Sequence, residues 1–439
     1  MVVVERLRVR DVFTPTTPAR VTFVDRERLN DQLVDALRTP GKQVVVYGPS
    51  GSGKTTLLVN KLAQLYPQNI TSRCTAATTF ESLLVTAFDS LDVYYSSGAS
   101  IRRGKSVSVK LEQAYFGIKS SIEAATTTQT DLNFTRLLPP QLTPQRLAEF
   151  CGAAECCWVL EDFHKVGVGE KAKLSQIMKV FMDSAATYPD VKIIAIGAVD
   201  SAREVIQYDP EMRNRVAEIA VPLMTQEELT QVLTKGEDSL NLKFGTLRSE
   251  IASYSSGLAS VCHQLGLNIC FAAGIEETCE GIQEITTDQL QTALQRYLND
   301  ASDTLKAVFD LALKQRRVRT FDNARLILRA LTEFGEAGGT HSDLLKKIHR
   351  AEATYPPSNL TFYLRELQTT KHGEITRFDP TSGRYFFRDP LYLAYARCLF
   401  VSPGATLEWL SAVQTSVQRL LTERLIKWKK DSVPPSVAF

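Results

Sequence analysis

A glycine-rich octapeptide, Gly48-Pro49-Ser50-Gly51-Ser52-Gly53-Lys54-Thr55, decides more about this chain than any other stretch of it. Residues 43–47, QVVVY, form a short β-branched run that reads as a buried parallel strand. TLLVNKLAQLY, directly after the octapeptide, has a helical pattern. The whole is GxxxxGK[ST] in its strand–loop–helix setting. Its glycines let backbone N–H groups close around a β-phosphate without side-chain clashes, and the helix beginning near Gly53 adds its positive end. Lys54 is placed to reach the β and γ phosphates, and the Thr55 hydroxyl to coordinate Mg²⁺. Pro49, Ser50, Ser52 and Thr56 complete the expected cofactor-binding loop, whose implied ligands are ATP and Mg²⁺.

Such a loop needs an acidic element on a neighbouring strand. CCWVLEDFH (residues 156–164) supplies one: an apolar run that ends in Glu161-Asp162. The first acid at such a strand end holds Mg²⁺ through water, and the next polarises the attacking water. Glu161 is therefore the expected metal-side acid and Asp162 the expected base. The order reverses the usual Asp-Glu, and the base is one methylene shorter, so hydrolysis is expected to be slow. A third strand, VKIIAIGA (residues 191–198), follows a helical stretch at 171–187, which argues for a parallel α/β sheet with nucleotide at its C-terminal edge. Beyond it Asp200, Ser201 and Arg203 could face the γ-phosphate, and nothing singles one out.

At this point the chain resembles AAA+ ATPases of the origin-recognition/STAND type, over roughly residues 12–400. The resemblance is carried by FTPTTPARVTFVDRERLNDQLVDAL, the glycine-rich loop, VLEDFH, IIAIGA and the segment EMRNRVAEI followed by VPLMTQEELTQVL. It implies an α/β P-loop NTPase with an AAA+ parallel sheet, an α-helical lid and a C-terminal winged-helix domain. It also implies that Phe23, Val24 and Arg26 line the adenine site. Arg213 or Arg215 would reach the γ-phosphate held by a neighbouring subunit, although local salt bridges account for either equally well. One departure stands out: the stretch Ser255–His263 has neither the proline nor the arginine that the lid often carries there. His263 could sense phosphate in their place, or be a packed or capping helix residue.

The expected organisation is an N-terminal segment 1–40, an ATPase core 41–225 with an insertion near 95–145, a helical lid 226–300, a winged helix 301–400 and a tail 401–439. Thr225 before Glu228 has the form of a capping box, and Thr287 before Leu290 is a weaker helix start. In the C-terminal third, Thr340 opens one helix and Pro356-Pro357-Ser358 another, before two alternating strands around Pro380–Gly383. Lys346, Lys347, Arg365, Lys371, Arg377 and Arg384 would be available to DNA phosphates. The recognition helix offers Asn359, Thr361, Tyr363 and Arg365, with a single cation, so a wing that contacts protein or gates the ATPase is the alternative. The insertion carries Arg102, Arg103 and Lys105, and residues 405–430 form an amphipathic stretch.

Charge follows the same division. From residue 301 onward there are 21 Lys/Arg against 14 Asp/Glu, a net of +7, while residues 1–300 carry 30 against 35. That asymmetry fits an anionic partner for the C-terminal third, or simply a basic solvated face. With 44% hydrophobic and 23% charged residues the composition is that of a globular protein. No apolar run approaches the length of a membrane span. The eight cysteines show no CxxC spacing and there are five histidines, which reads as reduced core thiols in a cytoplasmic protein. The expectation is an ATP-controlled switch whose nucleotide state governs self-association as a homo-oligomer and engagement of an effector protein or DNA; a setting such as prokaryotic antiphage defence is implied by the family resemblance alone. A DNA-binding loader of replication, transposition or repair, and a scaffold that binds without hydrolysing, are the alternatives. No nuclease, protease or TIR-like constellation is visible in the sequence.

Overall fold

A computed structural model describes residues 6–91, 143–197, 210–314 and 320–401. The insertion's Arg102, Arg103 and Lys105, the residues Asp200, Ser201 and Arg203, part of the basic stretch 314–329 and the amphipathic tail all lie outside the described residues. The chain divides into two compact units, Thr16–Glu228 and Met1–Pro15 with Leu229–Phe439. The expected N-terminal segment 1–40 is thus shared between the two units, and the stretch from Leu229 onward falls into one.

The first unit is built on five strands: β1 (Gln43–Tyr47), β2 (Gln68–Arg73), β3 (Cys156–Glu161), β4 (Ile193–Gly197) and β5 (Val216–Ala220). They are all parallel, in the order β2-β3-β4-β1-β5. Strand alternation sends Val44 and Val46 into one core with Val159, Ile194 and Ile219. It sends Val45 into the other with Trp158, Leu160, Ile193 and Val216. Both faces are covered by helices, which is why the central strands read as unbroken apolar runs. Trp158 is fully buried and donates its indole N–H to the Ser72 hydroxyl at 2.9 Å, so its one polar atom is satisfied. The edge strand β2, QNITSR, buries only alternate residues.

Lys54–Leu65 is helical because Leu57, Leu58, Lys61 and Leu62 make one buried stripe at helical spacing. It stops at Tyr66, where Pro67 follows and lacks the N–H a further turn would need. The α/β P-loop NTPase class is therefore observed directly, with its central strand feeding the glycine-rich loop.

The second unit is helical at its start. Phe13 is fully buried between two glycines: a Cβ at Gly236 would lie 2.4 Å from its ring, and one at Gly266 2.6 Å. The helix Gln226–Leu240 begins at the expected capping box, with Thr225 N–H to Glu228 Oε2 at 2.9 Å and Glu228 N–H to Thr225 Oγ1 at 3.2 Å. A second box belongs to Thr286 and Gln289, one residue earlier than expected at Thr287. Thr286 has the extended backbone that a cap requires, and Gln289 has the side chain that reaches back.

Farther on, helices Asn323–Thr332, His341–Ala351 and Pro357–Glu366 are joined by strands Gly339–Thr340, Thr376–Asp379 and Arg384–Phe387, which form an antiparallel sheet with Arg384–Phe387 in the middle. Helix Pro390–Val401 follows. Arg397 on it donates to Ser253 O at 2.7 Å and to Thr332 O at 3.3 Å, capping the carbonyl ends of two helices at once. Among the described residues no helix is long and apolar enough to cross a membrane.

Candidate functional site

The loop Gly48–Gly53 leaves the C-terminal end of β1, the strand held between β4 and β5. Its first glycine is dictated by contact: the Val221 carbonyl oxygen would lie 2.2 Å from a Cβ at Gly48. Val221, just past β5, is fixed there by donating its N–H to Tyr47 O at 2.8 Å. Gly53 is dictated by conformation, since it precedes the helix with φ +91°, a left-handed backbone that disfavours side chains. Ser52 N–H closes the loop on Pro49 O at 3.3 Å. The N–H groups of the first helical turn, Lys54 to Thr56, have no intrahelical acceptor and point back into the loop. The Ser52 hydroxyl is buried without a hydrogen-bond partner among the described residues. This is a concave set of donors of the kind that holds an anion.

Lys54 folds over the loop, donating from Nζ to Gly48 O at 2.9 Å and Pro49 O at 2.7 Å. Burial pulls its pKa below the usual lysine value, and the Asp162 carboxylate opposes that shift. The ammonium is therefore kept over the loop by weak carbonyl acceptors, which a phosphate would outbid.

The acids end β3, two strands from β1 and about 10 Å across the sheet at ordinary strand spacing. Glu161 Oε2 pairs with Nε of Arg73, its register partner on β2, at 3.3 Å. Asp162 adopts φ +56° and precedes the turn Phe163–Lys165, accepting the Lys165 N–H at its carbonyl (2.9 Å) while its carboxylate pairs with Lys165 Nζ at 2.7 Å. Among the described residues no group of three or more His, Cys, Asp or Glu could hold a metal unaided. A divalent cation here would draw on the Thr55 hydroxyl and Glu161 with oxygens from a ligand and water. The donor set thus fits a phosphate chain with a hard cation.

The other expected site residues are dispersed. Phe23 stands under Lys61, whose Nζ is 5.9 Å from the ring centroid. Val24 is buried. Arg26 is engaged with the protein: Nε pairs with Glu228 at 3.0 Å, and its other nitrogens donate to Pro222 O at 3.1 Å and Leu223 O at 3.4 Å. Its guanidinium ties the turn before helix Glu27–Arg38 to the chain after β5. Asn60 adds a tie that the sequence reading missed, donating to Ala19 O at 2.9 Å. Arg213 is exposed in the turn Pro210–Asn214. Arg215 is exposed and pairs with Asp183 at 3.3 Å, a surface contact of little strength.

His263 belongs to the other unit. It is buried, accepts the Thr14 N–H at Nδ1 (3.0 Å) and meets the edge of Phe13. Burial pushes its pKa down to about 4, so it is a neutral acceptor at physiological pH. These surroundings are those of a packed anchor, the alternative to phosphate sensing.

No curated protein matches the chain. Among solved structures, the ORC2 protein of Aeropyrum pernix matches with 14% identity and a TM-score of 0.47, covering 88% of this chain and 96% of its own. A Walker-type ATPase of Pyrococcus abyssi matches with 17% identity and a TM-score of 0.44, covering 87% of this chain and 98% of its own. The RuvB Holliday junction branch migration motor of Thermotoga maritima gives 13%, 0.41, 86% and 97%. Over residues 13–254, more than half of its length, the chain matches the model of nSTAND1, the novel STAND NTPase 1 family, and it belongs to that family.

Proposed function

We propose that the chain is an ATP-dependent molecular switch that binds ATP with Mg²⁺ and hydrolyses it slowly. The observation that carries this reading is Lys54 held over a glycine loop at the end of the central strand, with two acids ending a strand of the same sheet. Lys54 and the first-turn N–H groups would bind the phosphates, with Thr55 and Glu161 on the cation. Bound Mg²⁺ would supply charge neutralisation at the leaving and transferred phosphates. Asp162 would orient water. Its short side chain and its pairing with Lys165 both favour slow turnover.

Nucleotide would control the relation of the two units by binding two arrangements with different affinity. Exposed Arg213 and Arg215 are available to a second copy, and the weak Arg215–Asp183 pair would be cheap to exchange. The C-terminal three helices and sheet are read as a winged helix that contacts an effector protein. Most of its expected DNA-facing cations are engaged internally. Lys347 pairs with Glu333, Lys371 with Glu366, Arg384 donates to Ala337 O and Gly338 O, and Arg377 stacks on Phe386. The exposed face of helix Pro357–Glu366 instead presents Phe362. A DNA loader, engaging duplex through Lys346 and Arg365, is the second reading. Effector control in prokaryotic antiphage defence, in the cytoplasm, is the setting proposed from the family resemblance.

Light scattering after size exclusion tests the switch, with ADP, ATP, and ATP plus a short duplex. The expected result is assembly with ATP that is lost in Lys54→Ala and in the Arg213→Ala/Arg215→Ala double variant. A monomer under every condition would remove the shared-site role of the arginines. A further shift with duplex would favour the loader.

A further inference from the structure

The segment before Pro15 is held by the second unit as a bound peptide is held. Leu7 donates its N–H to Thr278 Oγ1 at 3.0 Å, and its carbonyl accepts the Thr278 N–H at 2.9 Å. Val9 N–H donates to Glu276 O at 2.9 Å, and Arg8 bridges Glu277 in antiparallel fashion. Arg6 pairs with Glu277 and Glu280, each at 3.1 Å, so a cation meets two acids at one end. At the other end Phe13 fills a socket between Gly236 and Gly266, beside the rings of Phe244 and His263. Thr14 then donates to His263, and Val9 and Val12 are buried along the way. Main-chain pairing, a charge pair and an aromatic knob are the means by which peptides are recognised.

Nothing local selects these contacts: the hydrogen bonds made by Arg6, Leu7 and Thr14 to side chains span 249 to 274 residues. The helix Val9–Val12 is a single turn, too short to persist alone, so the segment takes its shape from the socket. The connection onward is short. Thr14 is held by His263 and Ala19 by Asn60, with Pro15-Thr16-Thr17-Pro18 between them. Each proline fixes its own φ and pushes the residue before it, Thr14 or Thr17, toward extended backbone. A short, stiff hinge of this kind invites exchange of the segment between copies. Exchange costs no contact, because a second copy carries the same arginine, valines and phenylalanine in the same order.

We propose that Arg6–Thr14 is an exchangeable docking segment, and that the socket around Phe13 also receives this segment from a second copy of the chain. The interface so formed needs no nucleotide and is separate from the assembly through Arg213 and Arg215. In the wild type the resident segment competes at an effective concentration of about millimolar, so chains at micromolar concentration stay closed. Exchange is therefore read with a complementary pair of variants. Phe13→Ala removes the knob and leaves its socket open. Gly266→Ala keeps the knob but blocks the socket, since the added Cβ would stand 2.6 Å from the Phe13 ring.

Light scattering after size exclusion, without nucleotide, is run on each variant and on their equimolar mixture. A species of twice the monomer mass is expected from the mixture and from neither variant alone. A mixture that stays monomeric, while both variants melt near the wild type, would overturn the proposal. A dimer formed by either variant alone would overturn it too, by placing the interface elsewhere. Should a variant melt early, the wild type is titrated instead with a fluorescein-labelled peptide of residues 6–17. The same peptide with Phe13→Ala is expected to bind at least about tenfold more weakly, and equal binding of the two peptides would overturn the proposal. Since no nucleotide is present, each of these outcomes leaves the nucleotide reading to its own test.

Discussion

Asp162 turns the chain at φ +56°, a left-handed backbone seldom adopted outside glycine, directly after Glu161 ends the strand. Its carboxylate makes no bond to the turn's own N–H groups and pairs with Lys165 instead, while the Lys165 N–H closes the turn on the Asp162 carbonyl. His263 makes a second point, through protonation. Its folded pKa of about 4 lies below its ordinary 6.5, so on acidification the unfolded chain takes up a proton that the folded chain refuses. The stability that neutral His263 contributes is present above about pH 6.5 and is lost as pH falls towards 4. Between pH 7 and 4.5 this amounts to about 2 kcal/mol. Urea midpoints measured across that range should fall more steeply for wild type than for His263→Gln. Parallel curves would show that the Thr14–His263 contact contributes nothing to acid sensitivity.

The junction of β1, the glycine loop and the end of β5 works as one element. With the Val221 carbonyl 2.2 Å from where a Cβ would stand, Gly48→Ala must push the loop away from β5 or break the Val221 N–H to Tyr47 bond. Expected are a loss of about 1–3 kcal/mol in stability, typical of overpacking, and a marked loss of nucleotide affinity. Unchanged melting and binding would contradict this geometry. The loop itself was legible in the sequence because phosphate binding requires contiguous residues. The apolar strands β1, β3 and β4 were legible because both of their faces are covered. β2 was not, since QNITSR is a polar edge strand buried at alternate positions only. β5, VAEIA, was too short to stand out from the arginine segment before it. Helix Pro390–Val401 was hidden because LYLAYARCLF is apolar nearly all round and shows no stripe. The partners of Arg26 and His263 were out of reach for another reason. Glu228 lies 202 residues from Arg26, and Thr14 lies 249 from His263, separations that no local pattern encodes.

The chain passes between its two units twice, at Pro15–Thr16 and at Glu228–Leu229. Each crossing is anchored at its edge: Thr14 by His263 and the neighbouring Phe13, Glu228 by Arg26. Helices Leu247–Ser255 and Asn323–Thr332 are tied within one unit by Arg397. The proposed switch would depend first on nucleotide at the glycine loop, since every further step would draw its energy from that binding. Titration of wild type and Lys54→Ala with ATP and Mg²⁺ by calorimetry tests this most directly. Saturable one-site binding by wild type is predicted, weakened about 10- to 100-fold in the variant by loss of a charge-assisted contact. Absence of binding, or equal affinity in the two proteins, would contradict the account.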